Sequence, residues 1–487
     1  MPEDADVDIF PLPLVPFERY MLADDTPEYP MTYSLAFDFR GEFDREALER
    51  ALADTLTHHP LLTARVERVP RKGYCWVGTP SSPVPLDWGM LEAPLEGRAG
   101  GAIDLRLEAG LRLWVRQGDG RACLTLLVHH ACADGVGTLQ FVRDLLVAYS
   151  VRAVSDMAAP APVRLAAEKL RIRDRFDVTL PEPVSPWAIV KSTVTEAAKF
   201  FSRRPTPLAV SPESRSLANG APADAAHVGT KPQRGHHDAA RSPRAELAAS
   251  VSGVPDVCSC TFSAAETTAL YAAAARHDAT LNDVLLRDAF VVAADWNAAH
   301  EPTMRGRWLR INMPINLRML EHRRMPAANA MSFAFLTRRG SDCTDPQGLL
   351  RGIRQETKAI KYWSLGLLFL DGLRFSLRVP GLAKFSTRRR RCLASLVLSN
   401  FGDVARYFPA SLVTNDRRIQ AANVVLESLT GAPPIRPLTR ASLLVSRYAG
   451  QLIVSVRCDP RCFTAGAARA LLARYVKRLQ ETASDYR

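Results

Sequence analysis

The sequence predicts an α/β (α+β) protein of two similarly built lobes separated by a polar linker. Its 487 residues exceed one ordinary hydrophobic core, because domains typically contain roughly 100 to 200 residues. Each half contains segments with strand spacing and segments with helical spacing, which is typical of mixed α/β construction. Between the halves, large apolar residues become scarce. We therefore expect an N-terminal lobe over 1–175, a partly disordered linker over 176–255 and a C-terminal lobe over 256–487.

The first lobe begins with a strand that leads into a helix. Apolar residues alternate along Thr32–Phe39, which is strand spacing, and Asp44 then precedes leucines at helical spacing. Two further β-rich runs, Leu111–Val115 and Cys123–Val128, flank a Gln-Gly-Asp-Gly sequence that indicates a hairpin. The second run ends in a pair of histidines, and a helical pattern follows. The histidine pair is therefore expected on a loop between a buried strand and a helix.

The linker contains one candidate helix and one polar stretch. Trp187–Phe201 has amphipathic spacing, whereas Ser211–Arg244 has the composition of a disordered segment.

The second lobe begins with two capped helices. Ser263 and Glu266 form a capping-box pattern ahead of an Ala-rich helix, and Thr280 caps a second helix. A closing helix is expected over Ala465–Thr482. The strand-like runs between them are Leu309–Ile315, Met331–Thr337, Leu393–Leu398, Ser442–Ser446 and Leu452–Val456, with Gly450 turning the last two into a hairpin.

Charge and cysteine usage limit the compartment and the partners. The net charge of +12 favours anionic partners such as coenzyme A phosphates, an acidic carrier protein or anionic lipid. Nucleic acid is not expected, because no zinc-finger spacing, RNA-binding aromatic signature or basic-region heptad accompanies the charge. The nine cysteines lack paired CxxC spacing and indicate reduced thiols. With no secretory signal or membrane span visible, we expect a soluble cytoplasmic protein, at most peripheral to a membrane.

The run His129-His130-Ala-Cys-Ala-Asp134-Gly135 carries the chemistry that the sequence indicates. A thioester is already activated, so acyl transfer from it needs chiefly a base for the attacking hydroxyl or amine. A neutral imidazole suits that role near pH 7 when one ring nitrogen is held as a donor. Asp134 either orients the ring or ties the loop to a cation elsewhere, and Gly135 permits another segment to approach closely. No third ligand has convincing spacing, so no metal is expected.

This run resembles the HHxxxDG signature of the acyltransferase superfamily that includes condensation domains, wax ester synthases, alcohol acetyltransferases and chloramphenicol acetyltransferase. Similarity continues in the family's order at Leu281–Val284, Asn316–Arg318, Ser399–Gly402 and the final hairpin and helix. The resemblance implies two chloramphenicol-acetyltransferase-like lobes with mixed sheets, arranged as a V with an active-site tunnel between them. It implies acyl transfer from a CoA or carrier-protein thioester to a hydroxyl or amine, with no bound cofactor, in a monomer.

The resemblance also implies roles for individual residues. His130 would be the general base, His129 would pack or hydrogen-bond structurally, and Asp134 would form a salt bridge that shapes the loop. Arg318 is the first candidate for its partner. Arg65 is a second candidate, because a threonine stands where many relatives carry an arginine after two leucines.

Other polar residues are expected near the substrate or the lobe interface. The resemblance implies substrate binding by Ser399, Asn400 and Asn316. Asn282 and Asp283 are better interpreted as fixing a helix start and the lobe interface, since Asn and Asp are common at helix caps.

Two other interpretations compete with the acyltransferase hypothesis. The chain could be a degenerate lobe pair that binds a carrier protein or lipid without chemistry, although the retained motif argues against this. The His-x4-Asp spacing also matches glycerol-phosphate acyltransferases, but their downstream Pro-Glu-Gly-Thr type run is missing. The basic run Arg388–Arg391, with the apolar Leu365–Leu370, is either a solvated face or a contact for a carrier protein, coenzyme A or anionic lipid.

Overall fold

Two six-stranded mixed sheets and a small three-stranded sheet organise the chain. The computed structural model describes residues 9–78, 84–95, 101–153, 164–176, 195, 198–215, 256–379 and 391–484. The strands are β1 (Leu12–Pro13), β2 (Thr32–Arg40), β3 (Arg65–Val69), β4 (Gly73–Val77), β5 (Leu86–Met90), β6 (Leu111–Gly118), β7 (Arg121–His129), β8 (Val257–Phe262), β9 (Trp308–Asn316), β10 (Met331–Arg339), β11 (Leu396–Asp403), β12 (Gln420–Ala421), β13 (Val424–Ala432), β14 (Ala441–Tyr448) and β15 (Gln451–Cys458). The α-helices are α1 (Pro16–Asp24), α2 (Arg45–Thr57), α3 (Pro60–Thr63), α4 (Gly135–Ala153), α5 (Ala264–Arg276), α6 (Leu281–His300), α7 (Pro346–Tyr362), α8 (Leu367–Arg378) and α9 (Ala465–Ser484).

The first large sheet brings the histidine pair to its end. Its order is β12-β13-β2-β7-β6-β5, antiparallel except between β5 and β6. β2 pairs with β7 from Thr32 opposite His129 to Arg40 opposite Arg121, so the last residue of β7 lies where β2 begins. β13, from the second half of the chain, pairs with β2 and extends this sheet. The two halves therefore share a sheet, which ties them together beside the histidines.

The second large sheet belongs to the second half alone. Its order is β10-β9-β11-β14-β15-β8, with β11 parallel to both of its neighbours and β10 at one edge. The pairing of β11 with β14 shifts register between Asn400 and Asp403, so the strand bends near its end.

Local signals in the sequence identified the starts of α2, α5 and α6. The Asp44 side chain accepts a hydrogen bond from Ala47 N at 2.7 Å and caps α2. The capping boxes before α5 and α6, at Ser263 and Thr280, are also present. The hairpin between β6 and β7 turns at Asp119 and Gly120 with φ of 54° and 70°, the positive values that a two-residue turn of this kind needs. These predictions are confirmed.

Other elements differ from the sequence prediction. β11 begins at Leu396 rather than Leu393, and β8 and β13 were not predicted. In the linker, residues 198–202 are helical and Pro212–Ser214 forms a short 3-10 helix, whereas most of the predicted helix over Trp187–Phe201 and of the polar stretch over Ser211–Arg244 lies outside the described residues. The same holds for residues 388–390 of the basic run.

None of the described helices is both long enough and apolar enough to cross a bilayer. None of the nine cysteines forms a disulfide.

Candidate active site

His130 directly follows β7 and is held through its backbone. Its N–H donates to the Met31 carbonyl at 2.7 Å, and its carbonyl accepts a hydrogen bond from the Asn329 side-chain amide at 2.7 Å. The imidazole packs beside the Tyr33 ring, with centroids 4.9 Å apart. His130 is only 8% exposed. The ring is therefore fixed in position and mostly shielded from water.

The two nitrogens of the His130 ring have different surroundings. Nδ1 is buried, and no described group bonds to it with hydrogen-bond geometry. Burial lowers the pKa of the imidazole below 6.5, while the His130 carbonyl, Asp134 and the Asn329 side chain act in the opposite direction. A histidine with a lowered pKa is neutral at pH 7, which is the form that accepts a proton.

His129 is fully buried, and its ring contacts other groups than the His130 ring does. Its Nδ1 accepts a hydrogen bond from the Ala131 N–H at 3.1 Å, which assigns the ring proton to Nε2. Nε2 lies 3.6 Å from Asp25 Oδ2, which is longer than a hydrogen bond. Asp25 is fixed in turn by the Met31 N–H at 2.7 Å. His129 thus links the motif to the segment that precedes β2.

Asp134 joins the motif loop to the second half of the chain. Its Oδ1 accepts from the Gly137 N–H at 2.8 Å in the first turn of α4. Its Oδ2 accepts from the Ala330 N–H at 2.9 Å and from Arg318 Nη1 at 2.8 Å. The Asp134 and Arg318 side chains are only 3% and 10% exposed. This carboxylate therefore holds three separate parts of the site together.

Arg318 makes further contacts, and Arg65 lies elsewhere. Arg318 Nη2 donates to the Ala328 carbonyl at 2.8 Å, and Nη1 is 3.3 Å from Asn316 Oδ1. Asn316, assigned to substrate by resemblance, is thus a neighbour of the ion pair. Arg65, the alternative partner, begins β3 in the small three-stranded sheet.

At Gly135, the motif packs closely against a residue from the second half of the chain. A Cβ atom on Gly135 would lie 2.5 Å from Cε1 and Cζ of Phe401, at the end of β11. A Cβ on Gly137 would lie 2.8 Å from the Ala328 carbonyl oxygen. Both contacts are shorter than carbon atoms tolerate, so glycine is needed here for close approach rather than for backbone freedom.

The segment Met325–Ala330 forms hydrogen bonds with the motif loop. The sequence analysis did not identify it. Asn329 Nδ2 donates to the carbonyls of both His130 and Ala131, at 2.7 and 2.8 Å. The Ala328 carbonyl accepts from the Asp134 N–H at 3.3 Å. Only the run of small residues between Pro326 and Met331 marks this segment in the sequence, because small side chains permit close backbone packing.

The residues assigned to substrate by resemblance lie in two places: Asn316 beside the ion pair, and Ser399 and Asn400 near the end of β11. Asn400 Nδ2 donates to Asn282 Oδ1 at 3.2 Å, which joins the end of β11 to the start of α6. Asp283 completes the capping box of α6 with Thr280 and accepts a hydrogen bond from Thr357 Oγ1 at 2.6 Å. Within the described part of the chain no hydrogen bond joins Ser399 or Asn400 to the motif; their neighbour Phe401 contacts it.

Cys132 lies within the motif but is not an exposed thiol. It is fully buried, and burial raises the pKa of its thiol well above the ordinary value. A buried neutral thiol is a poor nucleophile.

No model of a protein family matches the chain. Isonitrile lipopeptide synthase from Mycobacterium tuberculosis is 27% identical over 257 residues, covering 47% of this chain and 10% of that protein. The probable nonribosomal peptide synthetase CymA from Salinispora arenicola is 29% identical over 199 residues, covering 36% of this chain and 2% of that protein. The matches therefore span a tenth or less of these relatives' own length.

Solved structures resemble the chain over nearly its whole length. Polyketide synthase associated protein 5 from Mycobacterium tuberculosis has a TM-score of 0.59 at 18% identity, covering 98% of this chain and 99% of that one. The first condensation domain of the CDA synthetase has a TM-score of 0.62 at 17% identity, covering 98% and 96%. The TRI3 trichothecene 15-O-acetyltransferase from Fusarium sporotrichioides has 0.64 at 13% identity, covering 96% and 94%. At identities of 13–18%, these structural similarities show the fold alone.

Proposed function

We propose that the chain is a member of the superfamily of condensation domains and related acyltransferases, and that it transfers an acyl group from a CoA or carrier-protein thioester to a hydroxyl or amine. The observation that carries the proposal is the His130 imidazole, fixed through its backbone and with its pKa lowered by burial. Because Nδ1 is buried, we assign the proton-accepting role to Nε2. A relative named as a lipopeptide synthase and a neighbour named as an acetyltransferase support the same class of reaction.

The proposed reaction needs one base and no covalent enzyme intermediate. His130 Nε2 takes the proton of the acceptor O–H or N–H while the acceptor oxygen or nitrogen attacks the thioester carbonyl carbon. The tetrahedral intermediate collapses with cleavage of the C–S bond, and the leaving thiolate takes the proton from the imidazolium. The products are an ester or amide and a free thiol. Ser399, Asn400 and Asn316 remain our candidates for substrate contacts, and Asp134 with Arg318 acts by positioning the loop.

The donor is assigned as a thioester of coenzyme A or a carrier protein. One structural neighbour, the starter condensation domain of rhizomide synthetase, was solved in complex with C8-CoA. The net charge of +12 suits the phosphates of coenzyme A and the acidic surface of a carrier protein alike. Parallel assays with one acyl group on coenzyme A and on a carrier protein distinguish the two.

The test replaces the proposed base and a matched surface histidine. We expect His130→Ala to abolish acceptor-dependent release of free thiol from a panel of acyl thioesters, and His58→Ala, at an exposed position, to leave it unchanged. His130→Asn keeps a polar side chain of similar width and serves if the alanine variant unfolds. Equal rates in the parent and both His130 variants would contradict the proposal and favour binding without chemistry.

We also propose peripheral contact with anionic lipid at the end of α7. The apolar run Leu365–Leu370 is mostly turned inward, but Tyr362 and Trp363 are 40% and 41% exposed next to the exposed Lys361. Aromatic side chains beside cations suit the interface of an anionic membrane. We expect sedimentation with phosphatidylserine vesicles and not with phosphatidylcholine vesicles, and its loss in Trp363→Ser. Sedimentation with neither lipid would contradict this contact.

A further inference from the structure

We infer that the acyl chain of the donor is an aliphatic chain of medium or greater length, and that it lies against a wall of phenylalanine side chains that begins at His130. The phenylalanine wall consists of Phe17, Phe333, Phe369 and Phe335. This inference rests on the proposed acyl transfer, and it adds the substrate class and the residues that select it.

The wall is continuous from the imidazole outward. The Phe17 ring centroid lies 6.3 Å from that of His130 in an edge contact. Phe333 is 5.3 Å from Phe17, Phe369 is 5.2 Å from Phe333, and Phe335 is 5.7 Å from Phe369. Each step lies within the range of direct aromatic contact. A chain of ring contacts therefore leads from the proposed base through the buried Phe17 to the half-buried Phe333, Phe369 and Phe335.

The wall joins both halves of the chain. Phe17 belongs to α1 of the first half, whereas Phe333 and Phe335 belong to β10 and Phe369 to α8 of the second half. Tyr20, one turn after Phe17, also contacts Phe369, with centroids 5.5 Å apart. The apolar surface thus crosses the junction of the lobes, where a substrate reaching His130 would pass.

The two faces of β10 differ in how far their side chains are buried. Ala334 and Leu336 are buried in the core that covers one face of the second sheet, while Phe333 and Phe335 on the opposite face are only partly buried. Phe369 of α8 packs onto them and is itself only partly buried. The rings pack on one another but leave part of their surface uncovered. Three large half-buried rings there, connected to His130 through Phe17, fit an apolar ligand.

The wall predicts how affinity depends on chain length. Its rings offer no hydrogen-bonding group, so they recognise methylene groups and not polar substituents. Burying one methylene from water strengthens binding by about fourfold. Affinity should therefore rise with each added methylene until the chain has passed the wall.

Binding is measured separately from turnover. In the His130→Ala chain, calorimetry with butanoyl-, octanoyl-, dodecanoyl- and hexadecanoyl-coenzyme A gives the slope of affinity against chain length. We expect a slope of about fourfold per methylene between butanoyl and octanoyl. Phe333→Thr and Phe369→Ala should flatten it. Phe375→Ala is the matched control, because Phe375 lies on the same helix as Phe369 but is 62% exposed.

The outcomes separate this inference from the proposed function. A slope in the parent that is lost in Phe333→Thr or Phe369→Ala supports the wall, even if no turnover depends on His130. The inference is overturned if affinity in the His130→Ala chain does not depend on acyl length, or if the slope is unchanged in both phenylalanine variants. This holds even if the enzyme is active. Should Phe333→Thr unfold, Phe333→Trp keeps the strand packed and narrows the passage. We then expect preference to shift toward shorter chains, and an unshifted preference counts against the wall.

Discussion

Replacing Arg318 by methionine tests whether its ion pair with Asp134 holds the motif loop in place. Methionine keeps an unbranched apolar stem and removes the cation. Asp134 would retain the backbone N–H donors of Gly137 and Ala330, at 2.8 and 2.9 Å, but lose the charged donor at 2.8 Å. A buried carboxylate would then lack a counter-charge.

The size of the loss follows from burial. Both side chains are at most 10% exposed, so solvent screens their interaction little. Removing one partner of a buried pair typically costs about 3–5 kcal/mol. Because two N–H groups still solvate Asp134, we expect Arg318→Met to lower the free energy of unfolding by about 3 kcal/mol, the lower end of that range. Adding Asp134→Asn removes the unpaired charge and should recover part of this loss.

Urea unfolding followed by tryptophan fluorescence measures the free energies. Arg45→Met is the control, because the Arg45 side chain is 67% exposed and its pair with Glu49 lies on the surface of α2. Such a pair contributes about 0.5 kcal/mol. The reasoning is refuted if Arg318→Met costs no more than Arg45→Met, or if the Asp134→Asn/Arg318→Met protein is as unstable as the two single losses added together.

Three further predictions follow from the same site. Because burial lowers the His130 pKa, the imidazole stays neutral below pH 6.5, so the acid limb of kcat/KM should have its midpoint below 6.5; a midpoint at or above 6.5 in the pH profile contradicts this. Gly135→Ala should lower stability by about 1–3 kcal/mol through its clash with Phe401. Phe401→Leu should relieve that loss, and Gly372→Ala, on α8 with nothing within 4 Å of its Cβ, should lose no stability in the same thermal melts. Asn329→Ala removes two hydrogen bonds to the motif carbonyls and should destabilise the protein by about 1–3 kcal/mol in urea, with a matching loss of activity; full activity and stability would show that these bonds do not hold the loop.

Local interactions in the sequence determined much of the scaffold. Asp44 caps α2 through an atom three residues away, and Asp119-Gly120 turns the hairpin with its own two backbone conformations. The motif residues could be recognised for the same reason: the strand before His129 and the helix after Gly135 each follow from spacing within a few residues. Such signals can be recognised in a sequence because the interacting residues lie within about one helical turn or one strand pair of each other.

Tertiary structure alone decided what surrounds those residues. Arg318 reaches Asp134 across 184 residues of chain, and Asn329 reaches the His130 carbonyl across 199. Neither the choice of Arg318 over Arg65 nor the role of Asn329 has a local signature. Each depends on which distant backbone the folded chain brings within hydrogen-bond distance, and spacing along a sequence does not encode that. The sequence by itself thus determined which imidazole is the candidate base, and packing between the two halves determined how it is held and shielded from water.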